Sequence, residues 1–145
     1  MNTHKISEAG RLLVQAKLAK AGVSCKPALR NAAGAHFIVG PEQITLRVAT
    51  NLQPKPGGGK GSPVLEWWID DSVQASYTAL VDLSTDRVWL LETAVLRALA
   101  QQHSSGRSHI YMNVDPTVVT TTGKESHDTG FDAYLIERCI DRLAN

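Results

Sequence analysis

The chain has 145 residues, 43% of them hydrophobic, with a formal net charge of +1: enough apolar chain for one core and no more. No run approaches the roughly 20 apolar residues of a membrane span, and the opening MNTHKISEAG lacks the apolar centre of a signal peptide. A single cytoplasmic domain spanning residues 1–145 is expected, with no membrane partner.

Cys25 and Cys139 fit no metal-ligand spacing and read as free thiols in a reducing compartment. Charge is uneven along the chain. Residues 1–65 hold nine Lys/Arg against Glu8 and Glu42, a balance of +7, whereas residues 66–145 hold six basic and twelve acidic residues, a balance of −6. The asymmetry marks either a basic face or two solvated halves that mix on folding.

Residues 4–22 read as an amphipathic helix, with Ile6, Ala9, Leu13, Val14, Leu18 and Ala21 on one stripe. Arg11, Lys17 and Lys20 lie off that stripe, and Gly22 supplies the stop. A short strand follows over Val23–Pro27, then a turn over Asn31–Gly34. Next comes a hairpin turning at Gly40-Pro41: Phe37-Ile38-Val39, then Ile44, Leu46 and Val48 facing one way with Thr45, Arg47 and Ala49 facing the other.

The stretch LQPKPGGGKGSP reads as a mobile loop carrying Lys55 and Lys60. It is no P-loop, because Lys60 leads into Gly61-Ser62-Pro63 and a strand instead of a helix. Val64–Ile69 is that strand. Its Trp67-Trp68 pair puts one indole on each face, one of them core and the other beneath a helix or at the surface, where it could stack on a base.

Tyr77–Val81 and Arg87–Leu91 form a second hairpin, Thr93–Gln102 a short helix capped by Thr93, and His109–Val114 a late strand. Thr117–Gly130 reads as a surface excursion. A final helix is expected over 131–144, with Phe131, Leu135, Ile136, Cys139, Ile140 and Leu143 on one side and Asp128 or Thr129 as its cap. This order predicts an α/β (α+β) fold, a mixed central sheet flanked by helices, with its core in residues 5–114.

The phrase S-E-A-G-R-L-L-V-x-A-x-L-x-x-x-G, the hairpin, the loop, and then A-L-V-D-L-S-T-D-R-V-W-L-L together resemble, over roughly residues 5–100, a small PD-(D/E)XK nuclease domain. Restriction-endonuclease-like and Holliday-junction-resolvase-like proteins are of this kind. The resemblance implies a strand carrying Asp, as in Y-D-L-I-V, and a following strand with Glu or Gln, one residue, then Lys, as in Q-V-K-T. Period-two alternation aims the acid and the lysine at one phosphate while the acids hold Mg²⁺.

Laid on this chain, Y-D-L-I-V falls on Ala35–Val39 and Q-V-K-T on Arg47–Thr50. The metal aspartate becomes His36, the glutamate or glutamine becomes Arg47 and the lysine becomes Ala49, while Glu8 matches the acid of the opening helix. The catalytic positions are thus replaced, and no metal or cofactor is expected. Two alternatives would restore an ion: a shifted register recruiting Glu42, or a softer metal on His36 and Glu8. His36 also reads as a hydrogen-bonded structural histidine.

Three functions follow. The first is a catalytically inactive nuclease-like domain binding nucleic acid through Lys26, Arg30, Arg47, Lys55 and Lys60. The second is a protein-interaction module of the immunity, antitoxin or nuclease-inhibitor type, or an inactive partner subunit, whose acidic half imitates a phosphate backbone; a homodimer belongs here. The third is a metal-dependent nuclease with relocated ligands, the one reading that calls for Mg²⁺.

Overall fold

The computed structural model describes residues 2–29, 33–57, 61–119 and 123–144. Helix α1 (Thr3–Lys20) is capped by the Asn2 side chain, which accepts from the Lys5 amide, and it ends where Gly22 turns left-handed at φ +76°. Strands β1 (Cys25–Pro27), β2 (Phe37–Val39), β3 (Ile44–Asn51), β6 (Tyr77–Asp82) and β7 (Arg87–Glu92) form a five-stranded mixed sheet in the order β1-β2-β3-β6-β7. Its one parallel pairing joins β3 to β6. Strands β4 (Lys55–Pro56), β5 (Pro63–Asp70), β9 (Arg107–Asn113) and β8 (Gln102–Ser104) form a second, antiparallel sheet in the order β4-β5-β9-β8.

The alternation of each strand divides the apolar residues between two cores on opposite faces of the first sheet. Leu46, Val48, Ala79, Val81, Val88 and Leu90 meet Val14 and Leu18 of α1 together with Ile136, Cys139 and Leu143. Leu80, Trp89 and Leu91 meet the inner face of the second sheet (Leu65, Trp67, Ile69, Ile110, Met112) and helix α2 (Thr93–Leu99) through Leu96. The fold is therefore α+β, with helices and a second sheet layered on a mixed one.

The final segment is not one helix. A 3-10 segment (Asp128–Tyr134) gives way to an extended Leu135 at ψ 133°, followed by two short helices, α3 (Ile136–Cys139) and α4 (Asp141–Ala144). Phe131 belongs to one core and Ile136 to the other, so the chain must cross the edge of β7, where Leu135 bridges Trp89. A straight helix presents its stripe to one side only. Neither expected cap caps a helix: His127 precedes the 3-10 segment without a side-chain bond, and Asp128 pairs with Arg87.

Thr93 likewise caps nothing; it is the first residue of α2, and its buried hydroxyl bonds that of Thr78 at 2.8 Å. Strand β8 was not expected. Ser105 (φ 55°) and Gly106 (φ 74°) make a two-residue left-handed turn that folds it onto β9.

Gly40 fixes how the C-terminus docks. Its φ is +71°, and a Cβ there would stand 2.1 Å from the Leu143 carbonyl oxygen. Gly40→Ala therefore combines left-handed strain with a backbone clash and should cost about 2–4 kcal/mol in chemical denaturation. A loss below about 0.5 kcal/mol would contradict this docking.

Candidate functional site

Two strand edges are left open where the sheets part. On one side of β3, β2 pairs only with residues 44–46; beside β5, β4 pairs only with residues 63 and 64. A cleft of about 560 Å³ lies between these edges, roofed by the first turns of α1 and crossed where the Asn51 amide donates to the Glu66 carbonyl at 3.0 Å. Leu46 and Val48 must face the core beneath α1, so alternation turns Arg47 and Ala49 to the other side. His36, Arg47, Ala49 and Lys55 all line the cleft.

Of the other anticipated residues, Glu8 is exposed on α1 and does not line the cleft, whereas Ser7 and Arg11, one turn apart, do. Lys26 is exposed on β1, separated from β3 by β2. Arg30 and Lys60 lie outside the described residues. Glu42 stands exposed at the hairpin turn, away from the lining. Sequence reasoning passed over Arg11, Glu66, Asp70 and Arg107 as site residues; Glu66, Trp68 and Asp70 alternate on β5, and Asp70 faces Arg107 in register. The position of Arg11 off the apolar stripe was the available signal.

His36 is a structural acceptor. Its Nδ1 takes the Val48 amide at 2.9 Å, filling the place where a continued β2 would have bonded β3. Burial, then the Arg47 and Arg11 charges, push its pKa down to about 4. The ring is neutral near pH 7, and the proton it carries must sit on Nε2.

Arg47 donates to the Gly34 carbonyl at 3.0 Å. Burial and then the Arg11 charge lower its pKa, while Asp70 opposes them. Asp70 itself is held below the usual carboxylate range, first by the Ser72 amide and then by the Ser72 side chain. Among the described residues, Arg11, Arg47, Lys55 and Arg107 form no ion pair, whereas Lys17 meets Glu137 at 2.5 Å and Arg87 meets Asp128 at 2.8 Å. Glu66 is engaged by His109 at 3.1 Å.

Glu66 and Asp70 are four residues apart on one strand, roughly 13 Å at ~3.3 Å per residue, and cannot share an ion. Among the described residues no group of three or more His, Cys, Asp or Glu comes together to hold a metal. No helix among the described residues is long and apolar enough to cross a membrane.

Neither a family model nor a curated protein matches the sequence. In structure, the chain is similar to a bacterial homing endonuclease, I-Ssp6803I, with a TM-score of 0.62 at 11% sequence identity over 97% of this chain and 91% of that one. The fold is nuclease-like.

The depressed His36 pKa makes stability depend on pH. The unfolded ring binds its proton near pH 6.5 and the folded one only near 4, so the contribution is complete above 6.5 and is lost as pH falls toward 4. Partial exposure reduces the loss to on the order of 1–2 kcal/mol. His36→Asn, which keeps an acceptor at the Nδ1 position, should flatten this part of the profile in denaturation at pH 7.5 and 5. Identical profiles for the two proteins would count against the assignment.

Proposed function

We propose that this protein is a PD-(D/E)XK-type domain that binds the phosphate backbone of nucleic acid in the cleft between β3 and β5 without cutting it. The observation that carries the reading is the pair Arg11 and Arg47: two guanidinium groups line one cleft, where burial and then the Arg11 charge lower the proton affinity of Arg47, with no ion pair between either and a described acid. An anion placed between them relieves that repulsion. Lys55 and Arg107 extend the charge, and against Glu66 and Asp70 the lining carries a net of +2 from its Lys, Arg, Asp and Glu residues.

The likeness to a homing endonuclease supports nucleic acid as the partner. The resemblance puts the superfamily's metal aspartate where His36 stands, its glutamate or glutamine where Arg47 stands and its lysine where Ala49 stands. His36 Nδ1 is committed to the Val48 amide, and Arg47 brings a positive charge that repels a divalent ion.

The reading as a phosphate mimic has less behind it, because the acids of the second half are dispersed. Asp82 is buried in the β6–β7 turn, where it accepts from Ser84 and Thr85, and Glu137 and Asp128 meet basic partners.

Binding should weaken as salt rises, with a log–log slope of about 3 for four phosphate contacts. Arg47→Ala should lower affinity about tenfold and the slope by about 0.7–0.9. Plasmid DNA should survive incubation with Mg²⁺ or Mn²⁺. Affinity indifferent to salt and to Arg47→Ala would overturn the binding claim, and nicking lost in Glu66→Ala would overturn the claim of inactivity.

A further inference from the structure

Strand alternation places Glu66, Trp68 and Asp70 of β5 on the outer face of the second sheet, with Tyr111, His109 and Arg107 of β9 opposite them in register. The chain leaves Trp68 40% exposed there, although its neighbour Trp67 is buried. The Trp68 and His109 rings lie face to face, with centroids 3.9 Å apart and planes 3° from parallel. The Arg107 guanidinium carbon stands 4.6 Å from the Trp68 centroid, and Tyr111 tilts against His109 at 5.7 Å. His109 is fixed at both ring nitrogens, Nδ1 against Gln102 Oε1 at 3.0 Å and Nε2 against Glu66 Oε2 at 3.1 Å.

This column of flat groups is therefore held rigid from below and opens at Trp68 and Arg107. Those two residues line the same cleft as Arg11, Arg47 and Lys55. A rigid aromatic beside unpaired cations is the arrangement that receives unpaired nucleobases, because every base has a π-face and every nucleotide a phosphate. Cleft size points the same way: about 560 Å³ admits a nucleotide or two, whereas a duplex can only lie across the mouth.

Resting on the nucleic-acid reading above, we infer that the cleft is a binding site for unpaired nucleic acid, in which a base extends the His109–Trp68 stack, on the Arg107 guanidinium or in its place, while Arg11 and Arg47 hold the adjoining phosphate. Strand ends, bulges and single-stranded gaps are the substrate class, and duplex is bound more weakly.

The test uses the full chain with three probes: an oligothymidylate of about 15 nucleotides, an abasic strand of the same length, and a duplex. Trp67 and Trp89 are buried, so quenching of intrinsic fluorescence reports Trp68. Oligothymidylate should quench it and bind about 5- to 100-fold more tightly than the abasic strand. Trp68→Leu should erase that preference while keeping the salt dependence, and Trp68→Tyr should restore most of it. Equal binding of the thymidylate and abasic strands, or a preference untouched by Trp68→Leu, overturns the stacking inference and leaves the phosphate cleft standing. If none of the probes binds at low salt, the cleft reading fails and takes this inference with it.

Discussion

The second half of β3 is paired on one side only, and the site depends on that fact. Beyond Leu46, β6 continues alongside in parallel while β2 has already ended, so β3 presents an unpaired edge. Left bare, the Val48 amide would be a buried donor without an acceptor; the His36 ring supplies one and stands in for the missing strand. With Leu46 and Val48 committed to the core beneath α1, Arg47 and Ala49 are forced toward the gap where β5 also runs unpaired. The cleft is thus a consequence of two strands ending early.

The cleft gathers four cations, Arg11, Arg47, Lys55 and Arg107, in one lining. Lys17 and Arg87 find acids, and Arg97 donates to the carbonyls of Asp71 and Val73. The cations around the cleft find carbonyls, an indole face or one another. The basic first half of the chain does not form a basic face as such: Lys26 lies on the far edge strand, and Arg107 joins the cleft from the acidic half. Charge summed along a sequence says how much there is, while the fold decides which charges remain without partners.

Much of the fold was legible because local signals agreed. The α1 stripe with Gly22, the β2–β3 hairpin about Gly40-Pro41 and the β6–β7 hairpin each had matching period and turn chemistry. What escaped was decided by tertiary context. The stripe from Phe131 to Leu143 has helical spacing, yet its residues serve two cores on opposite faces of one sheet, and the edge of β7 breaks the helix between them. Strand β8 is three exposed polar residues with no alternation to read; only Ser105-Gly106 announced it. Alternation put the two indoles of Trp67-Trp68 on opposite faces, but which of them was solvent-facing depended on a second sheet that the single-sheet expectation left out. Glu8, matched by motif, is turned away by helical rotation, and Arg11 comes into the cleft instead.

The most direct test of the central claim is residue-level mapping by NMR: titrating a short oligonucleotide at low salt and following backbone amides together with the Trp68 indole. The account predicts that shifts converge on Arg11, Arg47, Trp68 and Arg107, from four elements (α1, β3, β5 and β9) whose residues gather at the cleft. Shifts centred on Lys26 or on Lys17 and Lys20, with the cleft residues unmoved, would contradict it.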